Sequence, residues 1–163
     1  MDETLKESLE QFDSLWRRVC PQDECPVGQK AGTYSLEDAL LGFIHDEICA
    51  GVCASALARM CRGEGRALLL RHAAEAKRHL RRLRAEYFIA TGVTAGTNED
   101  CRVMPTGLPA LRTAFLQAGD LAARYEDAAE RTDSPELREV FLAFASDVRR
   151  RARETRSLLI DSF

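Results

Sequence analysis

The spacing of the helix breaks constrains this chain more than any other feature. Four stretches carry apolar residues at steps of three and four, near residues 35–62, 66–91, 108–131 and 135–159. Gly63-Glu64-Gly65 separates the first two, Asp133-Ser134-Pro135 the last two, and the segment from Gly92 to Gly107 the middle pair. Short connections force neighbouring helices to run antiparallel. The long segment, which has Gly92, Gly96, Pro105 and Gly107 and no periodicity, reaches roughly 50 Å when extended, more than the roughly 39 Å of a 26-residue helix. The order short, long, short predicts an all-α fold over residues 35–163: an antiparallel four-helix bundle with one long crossover between its second and third helices.

The ends of these stretches agree with that reading. Ser35 precedes Glu37 and Asp38, as at a helix start with acids in the first turn, and Gly92 is a natural stop. Ser134 and Pro135 form a cap and first helical position. Before the bundle, Leu5, Leu9, Phe12, Trp16 and Val19 mark one face of an extra N-terminal helix, which Pro21, Pro26 and Gly28 end, so residues 1–34 form a separate segment. The first bundle stretch has a second apolar row, Cys49, Cys53, Ala56 and Met60, and the Leu5, Leu9, Phe12 and Trp16 face is expected to cover it.

Composition decides the class. With 45% hydrophobic and 30% charged residues and a net charge of −3, the chain has the make-up of a soluble globular domain, not of disordered, collagen-like or membrane-spanning proteins. The first twenty residues hold no apolar run of signal-peptide length, so a cytoplasmic location is expected, with the six cysteines mostly as buried thiols. The basic runs Arg81-Arg82-Leu83-Arg84 and Arg149-Arg150-Arg151 are interleaved with acids and lack accompanying aromatic or Gly-rich elements. They read as solvated faces, and neither nucleic acid nor membrane is expected as a partner.

On helical wheels the inner stripes are Leu40, Ile44, Gly51 and Ser55; Leu69, Ala73, Ala76, Leu80, Leu83 and Tyr87; Leu111, Phe115, Ala118, Ala122, Tyr125 and Ala129; and Leu137, Phe141, Phe144, Val148, Thr155 and Leu158. Charged or titratable residues interrupt three of them. Glu47 falls in the first, His72 and His79 flank the second, and Arg151 lies in the fourth. A lone buried carboxylate costs several kcal/mol. Arg151 is therefore expected to pair with Glu47 and to use its other N–H groups on Gln117 or a tyrosine, giving a core polar cluster of Glu47, Arg151, Gln117 and His79.

Buried carboxylates and imidazoles in a one-crossover bundle are the arrangement of ferritin-like proteins. The chain resembles a rubrerythrin-related, ferritin-like domain over roughly residues 36–159, through Asp46-Glu47, His79 with Leu83 to Phe88, Tyr125 to Arg131, and Pro135 to Ala145. That resemblance implies a di-iron carboxylate centre that reduces peroxide, with a glutamate from each of two helices and a Glu-x-x-His pair from each of the other two.

Residue by residue, Glu47 and His79 match that ligand set. The glutamate three before His79 is replaced by Ala76, with Glu75 beside it; the third helix offers Ala114, Gln117 and Ala118; the last pair is Val148 and Arg151. A rubredoxin-like module is absent, because four residues separate Cys20 from Cys25 where such a module has two. The expected function is thus a ferritin-like protein that has lost its di-iron centre, binds no cofactor, and acts as a binding or structural module, as a homodimer. The alternative is a rubrerythrin-type oxidoreductase, reducing peroxide or oxidising iron, with iron or another divalent metal on a shifted site of Glu47, Glu75 and His79, joined by His72. His45, Cys49 and Cys53 also recur every four residues, a spacing open to copper(I) or zinc but, with no matching Cys on a facing helix, more often one of small apolar packing.

Overall fold

The computed structural model describes residues 34–96, 101 and 106–162. Among them are four helices and no strand: α1 (Leu36–Met60), α2 (Gly63–Thr91), α3 (Leu108–Arg131) and α4 (Pro135–Ile160). They build a four-helix, all-α body in which α1 packs along α2 and α3 along α4. The N-terminal helix, its covering of α1 and most of the long connection lie outside the described residues.

Local chemistry sets the helix ends. Ser35 Oγ accepts from the Asp38 amide at 3.3 Å, and Ser134 Oγ accepts from the Leu137 amide at 3.2 Å, each satisfying a first-turn donor. Gly92 ends α2 in the left-handed conformation, φ 70°. The second helix begins at Gly63, earlier than the expected residue 66, because Gly63 is itself the reversal point at φ 55° and leaves only Cys61 and Arg62 between α1 and α2. Arg138 of α4 locks the α3/α4 turn, its Nε donating to the Ala129 carbonyl at 3.1 Å and its Nη2 to that of Thr132 at 2.9 Å.

Residue partners show how the helices register. Glu47 meets His79 while the next turn of α1, at Gly51, lies against Ala76. Ala129 meets Arg138 while Glu126 meets Arg149. At Gly51 a Cβ would sit 3.6 Å from the Ala76 Cβ, so the small pair lets α1 and α2 approach closely.

The core has two apolar parts. One joins Leu40, Phe43, Leu83, Tyr125, Phe141 and Val148; the other joins Cys53, Leu57, Ala58, Leu69, Ala110 and Leu111. Along α1, α2 and α4, the buried polar residues Glu47, His72, Glu75, His79, Arg151 and Thr155 fall between the two. Cys53 is therefore covered by Leu69 and by the first turns of α3. Ala56 and Met60, also on the expected second row, are exposed. Helix α1 is long and apolar enough to cross a membrane, with a mean hydropathy of 1.4 over 18 residues; here it packs against α2 and α3 and reaches α4 through Glu47.

Candidate functional site

The middle layer is an ion-pair network built by all four helices. Helix α1 supplies Glu47, 1% exposed, and α4 supplies Arg151, whose Nη2 donates to Glu47 Oε1 at 2.9 Å and Oε2 at 3.1 Å. From α2, His79 Nδ1 lies 2.8 Å from Glu47 Oε1, and from α3 the Tyr125 hydroxyl donates to the same oxygen at 3.1 Å. Tyr125 reaches this level from the neighbouring apolar part, where its ring stacks on Phe43 with centroids 4.2 Å apart.

The second half of the network centres on Glu75, 3% exposed. Its Oε2 faces Arg151 Nε at 3.3 Å as an ion pair, while Oε1 accepts a hydrogen bond from Arg150 and lies 3.6 Å from Arg78. Arg150 also donates to Asp147 Oδ1 at 3.2 Å, and Asp147 Oδ2 lies 3.2 Å from His79 Nε2. Both His79 nitrogens thus face carboxylates, and the Arg151 Nη2 also lies 3.4 Å from Nδ1. Phe144 stacks on the His79 ring with centroids 3.9 Å apart and fixes its plane. Two turns before His79 on α2, His72 Nε2 lies 2.7 Å from Glu154 Oε2, and Arg71 donates to the other oxygen at 3.3 Å.

Electrostatics follow from this geometry. Burial pushes the Glu47 carboxyl up, but the hydrogen bond with His79 and the charges of Arg151 and His79 outweigh it and hold Glu47 below the ordinary carboxylate value. Burial, then the Glu47 charge, raises Tyr125 far above the usual phenol value, so it stays a donor. Burial lowers His72 despite the pull of Glu154. Asp147 and Glu154 are each raised by desolvation yet lowered overall, Asp147 by His79 and Arg150, Glu154 by His72, Arg150 and Arg71.

Of the residues singled out from sequence, Glu47, His79 and Arg151 come together, with Glu75 on the other side of Arg151 and His72 on Glu154. Gln117 does not join them. It is exposed on α3, two turns before Tyr125; the Nε of Arg151 faces Glu75 instead, and Tyr125 donates to Glu47 and not to the guanidinium. The sequence reading also missed Asp147, Arg150 and Glu154. Their signal was present as alternating charge at steps of three and four along α4, beside the His72, Glu75 and His79 row.

This donor set does not fit a pair of metal ions. Beside Glu47 and His79, α4 presents Val148 and a guanidinium already held by Glu47 and Glu75. With Cys49 and Cys101 joined as a disulfide, no three His, Cys, Asp or Glu side chains among the described residues are grouped to hold a metal ion. Beside the layer, Gly51, Val52, Ser55, Arg59, Lys77 and Leu80 line a half-open, mostly apolar groove of about 280 Å³ between α1 and α2, which reaches Glu47.

The cysteines also depart from expectation. Cys49 is bonded to Cys101 of the long connection, with Cα atoms 5.2 Å apart, within the range that permits a disulfide. Cys53 and Cys61 are free thiols. No protein-family model matches the chain, and no curated protein matches it.

Proposed function

We propose that this chain is a ferritin-like, antiparallel four-helix bundle in which a guanidinium has replaced a di-iron centre, and that it serves as a binding or structural module. The observation that carries this reading is Arg151, paired with Glu47 at 2.9 Å and with Glu75 at 3.3 Å beside His79. One cation from the chain neutralises the carboxylates that metal ions would otherwise hold. The opposed register of Glu47/His79 against Gly51/Ala76, and the long segment between α2 and α3, support the ferritin-like topology. The groove beside Glu47, with Arg59 and Lys77 among its lining residues, is the place for a bound ligand. The working unit is a homodimer, a reading supported by the exposed Val52, Met60, Phe88 and Ile89; light scattering should return twice the 18.2 kDa chain mass.

Aerobic loading with Fe(II), followed by desalting, tests the reading. The expected result is less than about a tenth of an iron per chain and no di-ferric absorption band. Retention of about two irons per chain with that band would overturn it and favour the oxidoreductase alternative.

A further inference from the structure

The disulfide on the back of α1 has an imidazole beside it: His45 Nε2 lies 3.6 Å from Cys49 Sγ, one helical turn away. We infer that, once the Cys49–Cys101 bond is reduced, His45, Cys49 and Cys101 form a three-ligand site for Zn²⁺ with a fourth position open to solvent. This site is separate from the Arg151 layer and does not depend on its reading.

The geometry is that of a zinc edge. With Zn–N of about 2.0–2.1 Å and Zn–S of about 2.3 Å, a tetrahedral ion places a nitrogen and a sulfur ligand about 3.6 Å apart. His45 and Cys49 already stand at that separation. The 5.2 Å between the Cys49 and Cys101 Cα atoms keeps both sulfurs within reach of one ion. Two thiolates and an imidazole form a donor set suited to zinc. All three residues are partly exposed, which leaves an entry path, whereas Cys53 one turn on is buried among Leu57, Leu69 and Ala110. Burial pushes the Cys53 thiol up, away from the thiolate a metal needs.

The chemistry balances with a dithiol or phosphine reductant. The S–S bond takes two electrons and two protons, yielding two thiols and the oxidised reductant. Zn²⁺ then displaces both thiol protons as two Zn–S bonds form, and the neutral His45 ring donates its Nε2 lone pair. Oxidation of the pair removes two of the three ligands, so metal affinity is tied to the redox state of one bond.

The test uses the full chain, reduced with a phosphine and desalted without oxygen, then titrated with Co²⁺ as a spectroscopic stand-in and with Zn²⁺ against a chromophoric chelator. One equivalent of Co²⁺ with a thiolate-to-cobalt charge-transfer band is expected in the reduced protein and none in the oxidised protein. Cys101→Ser should weaken Zn²⁺ binding by about 100-fold, and His45→Ala by about tenfold or more. Cys53→Ala and Cys61→Ser should leave it unchanged. In the unmutated chain, Zn²⁺ should slow alkylation of Cys49 and Cys101 but not of Cys61, a readout that needs no variant to fold. No thiolate band in the reduced protein, binding that survives Cys101→Ser, or binding lost in Cys53→Ala would each overturn the assignment.

Discussion

The hydroxyl of Tyr125 donates to Glu47 Oε1 at 3.1 Å from a ring that is wholly buried, so a single phenol belongs both to the apolar core and to the charged layer beneath it. Tyr125→Phe keeps the stack on Phe43 and removes one of the donors to Glu47. The expected loss is about 1.5–3 kcal/mol, the range for a hydrogen bond to a charged group, read from urea unfolding. A loss below about 0.5 kcal/mol would show that Glu47 does not need the phenol.

The pair Glu47 and Arg151 should behave asymmetrically. Arg151→Met strands Glu47 in the core and should cost about 3–5 kcal/mol. Glu47→Leu should cost less, because Arg151 still faces Glu75 at 3.3 Å. Combining the two should recover much of the Arg151→Met loss, since both partners are then gone. Additive single losses in the double-mutant cycle would mean the two side chains do not interact.

Acid should unfold the protein in two stages. His72 has a lowered folded value, so the unfolded chain binds its proton more readily, and stability falls as pH drops below the ordinary histidine range of about 6.5. The groups facing His72 are Glu154, Arg151 and Glu75. Glu47, Asp147 and Glu154 are also lowered, so their contribution is complete above the ordinary carboxylate range of about 4 and disappears as pH falls through their folded values. Melting curves between pH 8 and about pH 3 should show both declines. His72→Gln should flatten the upper one and reduce the Glu154 share of the lower, and an unchanged upper limb would remove His72 as its source.

Reduction should loosen the chain without dissolving the bundle. The Cys49–Cys101 link closes a loop across 52 residues, and chain-entropy arguments give about 4 kcal/mol for a loop of that size, with about 2–4 kcal/mol typical in practice. Guanidinium unfolding with and without a phosphine should show that difference. Peptide mapping without reductant should yield the Cys49 and Cys101 peptides joined, and their separate appearance would contradict the link.

Much of this was legible in the chain itself, for identifiable reasons. Helix periodicity and the Ser35, Gly92 and Ser134-Pro135 signals act within a few residues, so the four helices and their limits could be read closely, apart from Gly63, whose positive φ turned an expected break into a helix start. Glu47 and Arg151 stood out because each interrupts an apolar row. Asp147, Arg150 and Glu154 did not, because half-exposed charges on a helix look alike in sequence whether they face water or a buried neighbour. Gln117 was misplaced because a wheel gives direction around a helix but not which level of it is packed: Gln117 is exposed, and Glu75 of α2 faces the other side of the guanidinium. The Cys49–Cys101 contact joins a helix to a segment without periodicity, which no local pattern announces.

The placement of Glu47 and Arg151 between two apolar parts also bears on how this sequence can change over time. Losing the arginine first leaves an anion with nowhere to go, whereas losing the glutamate first leaves the cation a second carboxylate in Glu75. A lineage drifting toward a plain hydrocarbon interior therefore has a downhill order of steps and an uphill one. Descendants that keep the arginine while varying position 47 should be more readily reached than the reverse. Sliding α4 by one turn, about 5.4 Å, would drive the guanidinium into hydrocarbon, so the same two residues act as a key that allows the helices a single vertical alignment.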